Sequence, residues 1–214
     1  MPNLDKSKMK LVRETRWHRE YALEESNHLF QESKFADGSA SITLEELEKE
    51  WPTWSEWERI DFSYEVRPPG CLCMPEVLRF VMQHGDHETW SGIASDIVHY
   101  LPREEGVAFL LQVCRSCPPE GAENLTQALA KAGAPEAVSI IRNHLDRLWS
   151  NDDLFKPAAH ISCIASSVTF YIQHLLELGE NSPDLVEKYR MLLDHPTESN
   201  RQSTRNLLSK YFEQ

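Results

Sequence analysis

Prolines and glycines divide the middle and end of this 214-residue chain into helix-length segments at nearly constant spacing, and that rhythm limits the folds open to it. One apparent helix pair begins near His87 and turns at Pro102; the next begins near Gly121 and turns at Pro135. A third runs from Pro157 and turns at Ser182-Pro183. The first two starts lie 34 residues apart and the third follows 36 later, within the range of helical repeats. Inside the segments, apolar side chains recur at steps of three and four. Trp90, Ile93, Ala94, Ile97 and Val98 make one stripe, and Val138, Ile141, Leu145, Leu148 and Trp149 make another. One helix alone cannot hide such a face from water, whereas stacked pairs can.

Upstream, residues 4–34 are expected to form one long helix, because Leu11, Thr15, His18, Ala22 and Leu29 trace a broad stripe. Phe35-Ala36-Asp37-Gly38-Ser39 then supplies turn chemistry. Thr43 with Glu46 three residues on predicts a capping box, and Thr53 with Glu56 predicts a second, opening a helix with Trp54, Trp57 and Ile60. Pro68-Pro69-Gly70 breaks any helix and marks the boundary between an N-terminal helical lobe over 1–67 and a stacked helical-hairpin region over 74–212, the two packing as one domain.

The segment Gly-Ala-Pro-Glu-Ala-Val at 133–138, with Ala-x-x-Leu-like spacing around it, resembles a HEAT-like repeat over 87–149, and more loosely over 74–212. Pro102 and Pro135 match the family's turn-proximal position. Asp146 and Arg147 are loose counterparts of its repeated Asp and Arg or Lys, a ladder otherwise poorly developed here. The resemblance implies an all-α fold, a solenoid of helix pairs with an N-terminal helical extension, presenting a concave surface to another macromolecule. An irregular helical bundle is the alternative. Some HEAT-like enzymes of this size excise damaged bases, but no residue here carries that analogy.

Charge narrows the partners. The formal net charge is −12, with six bases against three acids in residues 1–20 and twelve acids against three bases in 21–66. Such a field repels a phosphate backbone, so nucleic acid is unlikely and a basic protein suits it better. Arg13, Arg16, His18 and Arg19 would make only a small basic face on the first helix. Five cysteines and no apolar run approaching 18 residues point to a reduced, cytoplasmic protein without a membrane span.

The sharpest interaction candidate is Glu45, Glu46 and Glu50 with Trp54 and Trp57, where large rings bury apolar area and carboxylates attract a basic partner. A non-catalytic binding or adaptor protein is therefore the leading expectation. A small metal-dependent or histidine-based hydrolase and a structural, oligomerising protein are the alternatives. No cofactor is expected. The nearest thing to a metal signature is Cys71-x-Cys73, His84-x-x-His87 and Cys114-x-x-Cys117, but nothing in the spacing compels those pairs to meet. Asp86 and His87 could move a proton near neutral pH, as could Cys163 with His160, yet no nucleophile elbow, zinc-protease motif or phosphate loop accompanies them.

Overall fold

The Thr43–Glu46 box forms as its spacing predicts. The Thr43 hydroxyl accepts the Glu46 N–H at 3.3 Å, the Glu46 carboxylate accepts the Thr43 N–H at 2.9 Å, and helix α1 (Leu44–Glu50) follows. This computed structural model describes residues 9–14, 16–23, 29–34, 42–65, 74–157 and 163–212. The second box sits two residues beyond its expected place. Ser55 and Glu58 form it, at 2.8 and 3.3 Å, and open α2 (Glu56–Glu65). Thr53 instead closes a short 3-10 turn, Trp51–Thr53, its hydroxyl donating to the Glu50 carbonyl at 2.6 Å. α3 (Met74–His84) and α4 (His87–Tyr100) continue the chain.

The expected helix over 4–34 does not form. Instead β1 (Met9–Glu14), β2 (His18–Leu23) and β3 (Leu29–Ser33) make an antiparallel sheet in the order 1-2-3, with Leu11 opposite Tyr21 and Ala22 opposite Leu29. The polar pairs explain the choice. Arg19 reaches Glu14 directly opposite at 3.0 Å and Tyr21 reaches Glu32 on the diagonal at 3.2 Å, partners five and eleven residues apart that meet across strands but not along a helix. Trp17 anchors the sheet to the helices. It is fully buried, 4.9 Å from Trp54 and 5.1 Å from Phe62 between ring centroids. The basic face assigned to a first helix is therefore dispersed. Arg13 lies 3.6 Å from Asp61, Arg16 pairs with Glu50, and Arg19 holds Glu14.

The chain divides into two compact units, residues 1–93 and 94–214, with the division inside α4. In the second unit α5 (Arg103–Ser116), α6 (Glu123–Lys131) and α7 (Val138–Trp149) are followed by α8 (Cys163–Glu177), α9 (Pro183–Leu193) and α10 (Glu198–Phe212). Gly133 terminates α6 with φ +60°, the left-handed conformation that favours glycine, and Arg103 binds the freed carbonyls of Ala132 and Gly133 at 3.2 and 3.1 Å.

The tandem solenoid also needs correcting. α8 packs against α6, α7, α9 and α10, so one helix is the hub of an irregular bundle. Its sequence allows this, because Ala165, Ser167 and Thr169 are buried beside Val168, Ile172 and Leu175 and let neighbours approach on several sides. Extensive helix–helix packing remains; the all-α class and the regular repeat do not. No helix among the described residues is long and apolar enough to cross a membrane. The expected turn at 35–39, the Pro68-Pro69-Gly70 boundary and the residues 158–162 that include His160 lie outside the described residues.

Candidate functional site

Over residues 42–65 the chain carries eight acids against two bases. The fold gives these carboxylates different tasks. Glu46 and Glu58 are held below the ordinary carboxylate range by the backbone N–H groups of Thr43 and Ser55, as part of the capping boxes. Glu50 pairs with Arg16. Glu45, Glu48 and Glu56 face solvent.

The tryptophans separate in the same way. Trp51 and Trp54 are buried, 5.5 Å apart, in a cluster with Trp17 and Phe62, and the Arg59 guanidinium lies 5.5 Å from the Trp51 ring centre. Trp57 stands 68% exposed on α2, with Tyr64 also exposed seven residues along the same face. Of the residues expected to bind a partner, Trp54 lies in the core while Glu45 and Trp57 remain at the surface.

A cleft of about 250 Å³ runs between α1 and α3. Glu48 and Leu44 form one wall, Glu76 and Arg79 the other, and Phe80 and His84 line it as a pair of rings 4.5 Å apart and tilted 34°. Trp51 braces this pair from behind. Its ring meets Phe80 edge-on at 5.6 Å, and its N–H donates to the His84 carbonyl at 3.3 Å. Nothing in the sequence announces the cleft, because Glu48 and Glu76 belong to helices separated by α2. A second cleft, about 380 Å³, lies in the other unit between α4 and α6, where Asp96 and Lys131 offset each other in charge.

The remaining candidates have ordinary tasks. Asp86 is the N-cap of α4, its carboxylate accepting the Thr89 N–H at 3.1 Å while the Thr89 hydroxyl accepts the Asp86 N–H at 2.8 Å. His87 lies on the surface 3.2 Å from Glu88, and His84 belongs to the α1–α3 cleft. Cys114 and Cys117 are buried, and burial pushes the Cys114 thiol up to about 12, so it stays protonated. Cys163 is exposed; Cys71 and Cys73 lie outside the described residues. Among the described residues no three or more His, Cys, Asp or Glu side chains gather to hold a metal ion.

Sequence reasoning also passed over two imidazoles buried beside Tyr171 in the second unit. His144 lies 5.8 Å from Tyr171 in a stacked arrangement, and His174 lies 6.4 Å from the same ring. The Tyr171 hydroxyl donates to the Pro119 carbonyl. Burial lowers the pKa of His144 and takes that of His174 down to about 4. Only their place in otherwise apolar stripes could have flagged them.

Compared with protein-family models, curated proteins and solved structures, the chain matches none.

Proposed function

We propose that the chain is a non-catalytic protein-binding module whose first unit takes a basic segment of another protein on its acidic helices. The observation that carries this reading is Trp57. It projects from a strongly acidic helix while Trp51 and Trp54, six and three residues before it, are buried. A ring in that position offers apolar area and a cation-binding face, and the exposed carboxylates of Glu45, Glu48 and Glu56 supply long-range attraction for a basic chain. Titration of a fluorescent Lys/Arg-rich peptide, with a Glu/Asp-rich peptide of equal length as control, tests the reading. Binding of the basic peptide alone is expected, weakening as salt rises and at least fivefold weaker in Trp57→Ala. A folded Trp57→Ala protein binding as tightly as the parent would overturn it.

Self-association is a second reading. β1 is an edge strand, and Leu11 and Val12 on it are exposed, Val12 at 56%. Light scattering across a hundredfold concentration range is expected to show mass growing with concentration and returning to that of the monomer in Val12→Lys. A constant monomer mass would exclude this route.

A further inference from the structure

The basic-segment reading leaves open what the α1–α3 cleft receives. We infer that it is a receptor for a single arginine side chain of that segment. Three features converge on a planar cation. The Phe80 and His84 rings present aromatic surface, Glu48 and Glu76 bring carboxylates from opposite walls, and the cleft runs along α3 from Glu76 in its first turn to His84 at its carbonyl end, the negative end of its dipole.

Charge sets the number of guests. Two carboxylates and the resident Arg79 leave one negative charge, so one incoming cation neutralises the site and a second meets no remaining carboxylate. Volume agrees: about 250 Å³ falls below the ~300 Å³ at which small-molecule pockets begin, and suits one side chain rather than a free metabolite. Shape selects arginine over lysine. A guanidinium can lie flat on a ring while its in-plane N–H groups reach carboxylates, whereas an ammonium is a point charge that keeps its water. The site is also braced before a ligand arrives, because Trp51 holds Phe80 by its ring and the end of α3 through the His84 carbonyl.

The test titrates the full chain with two fluorescent peptides of equal length and charge, one with arginine at every basic position and one with lysine. The parent protein is expected to prefer the arginine peptide at least threefold. Glu48→Gln combined with Glu76→Gln exchanges two exposed carboxylates for amides of the same shape. It is expected to weaken arginine-peptide binding about tenfold and abolish the preference. Trp57→Ala is expected to weaken both peptides alike and keep the preference. Equal binding of the two peptides by the parent, or an unchanged ratio in a double variant whose helicity and urea midpoint match the parent, overturns the arginine receptor alone. Failure of the parent to bind either peptide overturns the basic-segment reading with it.

Discussion

Acidification should loosen the second unit, by an amount set mainly by His174. The Thr126 hydroxyl lies 3.0 Å from the Glu123 carbonyl and 3.0 Å from His174 Nδ1. Its proton goes to the carbonyl, so it accepts the Nδ1–H. Nε2 then carries a buried lone pair with no hydrogen-bond partner, on a residue only 1% exposed. A proton added there creates a charge and an N–H with no acceptor. The folded pKa is accordingly about 4, against 6.5 for the free side chain.

Because the folded value is the lower one, the unfolded chain takes the proton first as pH falls. The stabilisation is whole above pH 6.5, declines through the window and is lost by about pH 4. At 1.36 kcal/mol per unit, His174 accounts for about 1.4 kcal/mol by pH 5.5 and roughly 3 kcal/mol in all, a sizeable share of the ~5–15 kcal/mol that holds a typical domain together. His144 acts in the same direction. Its Nε2–H donates to the Cys114 carbonyl at 2.9 Å, while Nδ1 is buried without a hydrogen-bond partner. Among charged groups, Arg147 and Glu120 act on His144, and Glu177 and Lys131 act on His174. The lowered carboxylates, Glu180 and Glu198 among them, lose their contribution only below the ordinary carboxylate value of 4.5, so the interval from pH 6.5 to 5.5 isolates the imidazoles. Urea unfolding of the parent and of His174→Leu at pH 7.5, 6.5 and 5.5 measures the effect. The parent should lose about 1–2 kcal/mol across that interval, and the variant markedly less from a lower start. A parent flat with pH, or a variant with the same slope, would refute the buried-imidazole argument.

Gly92→Ala should lower the melting temperature although alanine is the better helix former. The new Cβ would sit 2.3 Å from Ser63 Oγ and 3.0 Å from its carbonyl carbon, a crowding cost of about 1–3 kcal/mol, and Ser63→Gly should restore part of it. Asp86→Ala should cost about 1 kcal/mol in urea unfolding through loss of the α4 cap, with Asp86→Ser recovering most of it; a neutral Asp86→Ala would contradict the capping assignment. Thiol labelling followed by peptide mapping should modify exposed Cys163 within minutes and reach buried Cys114 and Cys117 only in denaturant; rapid native labelling of Cys114 would count against its packing.

The legible parts of this fold are those decided within a few residues. Thr43 and Glu46 announce a cap that forms, and Gly133-Ala134-Pro135 announces a turn that ends α6 at a left-handed glycine. The second cap shows how little separates a right reading from a wrong one. Thr53-x-x-Glu56 and Ser55-x-x-Glu58 are equivalent patterns, but the 3-10 turn Trp51–Thr53 takes up Thr53 and leaves the cap to the later one. The N-terminal strands were illegible for a further reason. Leu11, His18 and Ala22 satisfy a helical stripe, while the pairs that stabilise the sheet join residues five and eleven apart, such as Arg19 with Glu14 and Tyr21 with Glu32.

The same distinction governs the candidate site. A run of glutamates and tryptophans reads as one surface when it is taken as a string, but capping and burial divide it. Glu46 and Glu58 turn back to the backbone of Thr43 and Ser55, Glu50 turns to Arg16, Trp54 turns inward to Trp17, and Trp51 turns inward to Trp54 and Phe62. What remains outside is Trp57 with a few carboxylates, and one of these, Glu48, acquires its partner wall from α3. A binding surface on this chain is therefore made of the side chains that local structure left over, and is best sought by removing every residue already committed to a cap, an ion pair or the core.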